Sequence, residues 1–135
     1  MILSTVMDEL ATELDTIAGL RVFAYPTDTA PAPAAIVGYP ESLTFDTTMG
    51  RGVDTAVFPI FVLVGRVTDR SSRNLLGAYC DGTGAKSIKA VLQAGKPWVA
   101  MASVRVASIE FTVVTVAGLD YLTAIFTVNV YGTGD

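Results

Sequence analysis

SVRVASIEFTVVTV at residues 103–116, AG at 117–118 and LDYLTAIFTVNVY at 119–131 read together as one β-hairpin. In the second arm Leu122, Ala124, Phe126, Val128 and Val130 take one face while Thr123, Thr127 and Asn129 take the other, because successive side chains of a strand point to opposite sides. A slip of one residue would turn every one of those apolar side chains to water, so the register is firmly set. Ala117-Gly118 supplies a tight turn of the kind glycine permits. In the first arm the apolar phase moves from Val104 and Val106 to Ile109, Phe111 and Val113, which predicts a bulge near Ala107 or Ser108.

Further toward the N-terminus, residues 53–67 (VDTAVFPIFVLVGRV) are apolar on both alternating faces from Ala56 to Val64. This is the pattern of a central strand covered on two sides. Pro59 removes one ladder hydrogen bond and predicts a bulge or an edge at that point. Residues 20–25 (LRVFAY) and 34–39 (AAIVGY) read as two more strands, separated by a stretch at 26–33 rich in Pro, Ala and Thr. Residues 40–52 (PESLTFDTTMGRG) have turn formers at both ends and little periodicity, which predicts a long loop or a protruding hairpin.

Helical periodicity appears in two places. Leu3, Val6, Leu10, Leu14 and Ile17 recur at intervals of three or four and line one face of a helix over 4–18, with Gly19 suited to the C′ position. Asp8, Glu9, Glu13 and Asp15 form its acidic side, which faces either solvent or a lumen. A second helix, capped by Asp69, Ser71 or Ser72, runs to about Cys80 with Leu75, Leu76 and Tyr79 inward. Gly82 and Gly84 interrupt it, and a third piece over 85–94 turns Ile88, Val91 and Leu92 inward. The expected fold is therefore α+β in a single domain. Four to five mostly antiparallel strands form a mixed sheet, flanked by an N-terminal helix and a central helical pair.

The 135 residues are 51% apolar and only 16% charged, with a net charge of −4. Polar side chains are scarce for covering a surface of this size, which predicts burial between subunits. The longest apolar stretch, 56–65, is half the length a spanning helix needs and holds Pro59, so no membrane segment is expected. MILSTVMDELATEL at 1–14 has no basic n-region and places acids where a signal peptide would be apolar, so no secretion is expected, and the negative charge argues against a nucleic-acid reader. Cys80 is the single cysteine, which excludes an internal disulfide and leaves a small apolar residue.

There is no histidine, so the commonest general base is missing and no Ser-His or Cys-His pair can be built. DGTGAKS at 81–87 is close to a phosphate loop, but the glycine before the lysine is replaced by Ala85, the first glycine by Cys80, and a helix precedes it where a strand is required. Ser87 reads instead as part of the first turn of the next helix. Arg66, Arg70 and Arg73 lie close enough in sequence to form a small basic cluster, which reads as a solvated face or as inter-subunit salt bridges rather than as a phosphate site. No catalytic residue, metal ligand or cofactor site is assigned.

The words YCDGTGAKSIKAVL at 79–92, Val104 to Val106, TVAGLDYL at 115–122 and the closing FTVNVYG resemble the tail-terminator, or tail-completion, proteins of actinobacterial long-tailed (siphovirus-type) bacteriophages. The likeness is best over 70–132 and falls on Gly84, Ser87, Lys89, Ala90, Gly118, Leu119, Asp120, Tyr121, Leu122, Val130 and Tyr131. Departures lie at Lys96-Pro97-Trp98 and in 26–33, and they bear on docking surfaces more than on fold.

The resemblance implies a structural virion protein of the tail-neck junction, assembled in the host cytoplasm without enzymatic activity. Its partners would be copies of itself in a hexameric ring, the tail tube protein and a head connector or stopper protein, with genomic DNA passing unread through the lumen. A head-to-tail connector or head-closure subunit is the alternative, and a small ligand-binding α/β domain a more distant one. Phe45, Met49 and Arg51 are then candidate docking residues in the 40–52 loop, expected to be mobile until a neighbour orders it. Asp8, Glu9, Glu13 and Asp15 are candidates for a lumen or solvent face.

Overall fold

The computed structural model describes residues 3–17, 20–23, 34–45, 53–66, 70–84, 86–93, 103–116 and 118–133. Within them the elements follow in the order α1 (Leu3–Leu14), β1 (Arg21–Phe23), β2 (Ala34–Val37), β3 (Ser42–Thr44), β4 (Val53–Arg66), α2 (Arg70–Cys80), α3 (Ile88–Leu92), β5 (Ser103–Val116) and β6 (Leu119–Thr133). The fold is α+β, with one open mixed sheet of six strands. The expected four to five strands become six because three residues of the 40–52 segment, Ser42–Thr44, pair with β4.

The sheet runs β1-β2-β4-β6-β5, and β3 joins β4 on the same side as β2. All pairs are antiparallel except β1 with β2. The last strand in sequence thus lies inside the sheet, held by β4 on one side and the edge strand β5 on the other. The hairpin forms in the expected register, and its bulge falls between Val106 and Ser108.

Pro59 corrects one expectation, because β4 is neither an edge strand nor shifted in register there: Pro59 stands opposite Thr127 of β6. The irregularity lies in the neighbour. β2 leaves β4 at Val37↔Ile60 and β3 rejoins it at Ser42↔Val57, so residues 38–41 span the level of Phe58 and Pro59. Gly38 N–H donates to Pro59 O at 2.8 Å. A residue in a strand points its N–H and C=O to the same edge, so the donor missing from Pro59 faces this break, where no regular ladder is lost. A Cβ on Gly38 would stand 2.9 Å from Pro59 Cγ, so the break needs a glycine against the ring.

One face of the sheet is the core. Ala56, Phe58, Ile60 and Val62 pair with Val130, Val128, Phe126 and Ala124, and all eight are fully buried. α1 adds Val6, Leu10 and Leu14, the turn after it Ile17, α2 adds Leu76 and Tyr79, and α3 adds Ile88 and Leu92 to the same cluster. The buried stripe of each helix meets the buried face of the sheet, the usual two-layer solution. On the other face Val57, Phe61, Ile125 and Tyr131 are only half-buried, while Pro59, Leu63 and Thr123 are buried.

Candidate functional site

The exposed large apolar side chains fall on opposite sides of the β4–β6 pair. Tyr39, 70% exposed, follows β2, and Phe45, 68% exposed, follows β3. Phe111 and Val113, 62% and 50% exposed, lie on β5 at the far side. The register shows why the β5 pair is unusual: Phe111 stands opposite Ala124 and Val113 opposite Leu122, on the helix-bearing face. They carry the orientation of core residues without the cover. Alternation read from sequence placed them inward and missed them as surface.

Of the expected docking residues, Phe45 is exposed as anticipated, while Met49 and Arg51 lie outside the described residues. The 40–52 segment is not simply a loop. Glu41 N–H donates to Val57 O at 2.7 Å and Ser42–Thr44 is laddered to β4, so residues 41–44 are held by the subunit's own sheet. The backbone of these residues thus has partners within the chain, where the sequence led one to expect few.

The acidic side of α1 divides into two flanks. Asp8 and Asp15 are exposed, whereas Glu9 and Glu13 are half-buried on the other flank. Asp8, Ala11, Thr12 and Asp15 line an open groove of about 290 Å³ with Val22 of β1 as its floor on the sheet side. Residues separated by three, four and seven positions share one helix face, which puts Asp8, Thr12 and Asp15 in a single row beside the sheet edge.

Arg70 and Arg73 are exposed one turn apart on α2, and Arg66 closes β4 with its backbone opposite Tyr121. The side chain of Arg66 lies outside the described residues, so the three are not shown together. The phosphate-loop-like string resolves into a helix cap. Ser87 is fully buried, its Oγ accepts from Ala90 N–H at 3.1 Å and donates to Asp81 O at 2.5 Å, so the hydroxyl is committed to structure. Of the serines and aspartate expected to cap α2, Ser72 is instead buried inside the helix, and Asp69 lies outside the described residues.

Burial pushes the Cys80 thiol up from an ordinary 9.0 to about 11, the opposite of what a nucleophile needs. Among the described residues no group of three His, Cys, Asp or Glu side chains converges to hold a metal ion, and no helix is long and apolar enough to cross a membrane. Compared with protein-family models and with curated sequences, the chain matches none of either.

Proposed function

We propose that the protein is a ring-forming structural subunit of the neck of a long-tailed phage, acting as the tail terminator: it caps the tail tube, ends its growth and joins it to the head connector while DNA passes through. The observation that carries the assembly part is the placement of exposed Tyr39 and Phe45 after β2 and β3, on one side of the β4–β6 pair, and of exposed Phe111 and Val113 on the edge strand β5 at the other. Such a subunit has two unlike apolar sides. A heterologous contact between unlike surfaces generates a ring when its rotation closes.

The resemblance to tail terminators supports the place in the virion. Its words fall on architectural positions: Gly84 and Ser87 at the break and cap of α3, and Gly118 to Leu122 at the turn and start of β6. Gly118 has φ +78°, a conformation that favours glycine at the tip of the hairpin.

The test is the native mass of the purified protein, followed by electron microscopy for a central hole. A closed particle with a hole supports the reading, and a species of 14.2 kDa alone at assembly-like concentrations rejects it. Binding to isolated tail tubes distinguishes the terminator from the second reading, a head-closure or connector subunit, which binds filled heads instead.

A further inference from the structure

Resting on the ring reading above, we infer that the occupant of the α1–β1 groove is Phe111 from a second copy of this chain, so that β5 of one subunit adds to the β1 edge of the next. The argument begins with a single transverse row of the sheet: Val22↔Ala35, Ala35↔Val62, Val62↔Ala124 and Ala124↔Phe111. The row crosses every long strand and ends at the groove on one side and at the 62% exposed phenyl ring on the other. Knob and groove therefore sit at the same level, on the same helix-bearing face, at opposite edges. Copies placed side by side in one orientation bring each Phe111 to the next Val22.

Strand direction agrees. β5 runs antiparallel to β6, β6 to β4 and β4 to β2, while β1 is parallel to β2. β5 and β1 consequently point opposite ways, and like-oriented copies meet in an antiparallel pair, the more favourable geometry. Among the described residues β1 and β5 each pair on one side only. The part of β5 nearer its start has its own cover: Val106 N–H donates to Gln93 Oε1 at 2.8 Å, just before the bulge. The remaining stretch, 108–116, is where Phe111 and Val113 lie.

Charge is complementary at the same levels. Arg105 stands in the row Asn129, Val57, Ser42, next to exposed Glu41, with β3 one strand further in than β1. Glu110 stands in the row that ends at Phe23, one same-face step from exposed Arg21. β5 thus presents positive then negative, and the facing edge negative then positive. The diagonal pair of Glu110 with Arg21 is at a spacing within reach of long side chains. The positive rim of the phenyl ring also suits a groove flanked by the carboxylates of Asp8 and Asp15.

Two copies, Phe111→Cys and Thr12→Cys, each in a Cys80→Ser background and checked for native circular dichroism, are mixed and treated with a short bismaleimide. The expected result is a linked pair in the mixture and in neither protein alone. Phe111→Asp should weaken self-association roughly tenfold or more while leaving the fold intact. Linkage of Phe111→Cys to itself would mean that β5 pairs with β5 and would overturn the inference. A wild-type ring that survives Phe111→Asp and gives no mixed link would overturn it too, leaving the ring reading standing. A wild-type protein that never self-associates would end both.

Discussion

The hydroxyl of Ser72 occupies the space in which a Cβ on Gly65 would stand. Gly65 sits where the β4–β6 register shifts, between Leu63 and Gly65, with φ +147°, a conformation L side chains rarely adopt. Ser72 is 4% exposed on the buried side of α2, so helix and strand meet at this point with no room for a side chain.

Gly65→Ala is accordingly expected to destabilise the fold by about 2–3 kcal/mol, from backbone strain and overpacking together. Urea unfolding measures it. Adding Ser72→Ala removes the colliding oxygen and should restore part of the loss, the strained φ remaining. A double mutant no better than Gly65→Ala would show that the contact is not the cause.

Ser87→Ala removes an N-cap acceptor and leaves both Ala90 N–H and Asp81 O without their partner. The expected cost is about 1–2 kcal/mol. Amide exchange is the sharper readout: protection of Ala90 should fall while that of Phe126 in β6 changes only with global stability.

Phe126 and Phe111 make a matched pair of phenylalanines on the same face of the sheet, fully buried in one case and 62% exposed in the other. Phe126→Ala should cost about 3–5 kcal/mol, because it empties the middle of the core. Phe111→Ala in a dissociated subunit should stay within roughly 1 kcal/mol. Equal costs measured by denaturant would mean that Phe111 is covered within its own subunit.

Cys80 keeps its proton in the folded state to about 11, whereas the unfolded thiol ionises at an ordinary 9.0. Between those values the unfolded chain has lost a proton that the native chain retains, so stability is unaffected below about 9 and falls as pH rises toward 11. Burial raises Tyr79 as well, which acts in the same direction. Unfolding midpoints across this range should decline, and Cys80→Ala should flatten the decline without abolishing it. At pH 8 the native thiol should react with a disulfide reagent far more slowly than the unfolded one.

The long hairpin, its bulge and the core stripe of α1 were legible because each is written in local periodicity: Leu122 to Val130 by twos, Leu3 to Ile17 by threes and fours. β3 was not, since Ser42–Thr44 has no apolar alternation of its own and is a strand by virtue of its pairing with β4. Pro59 told of an interruption but not of its owner, which depends on where β2 departs. The same limit hid Phe111. Alternation assigns a side chain to a face, and only the packed helices decide how far along that face the cover extends. The groove beside Val22 was out of reach for a related reason, as it joins residues of α1 and β1 whose proximity is tertiary.

The interior position of β6 has a consequence for synthesis. During translation β4 is complete long before its long partner exists, and one of its edges waits through roughly half the chain until residues 119–133 emerge. An apolar strand with an open edge is prone to wrong pairing. Any chain stopped short of residue 119 therefore lacks the strand that ties β5 to the rest, and presents neither the finished sheet nor its two outer edges in register. Truncation before residue 119 thus removes Ala124, Phe126, Val128 and Val130 from the buried face together with the only pairing partner of β5 among the described residues.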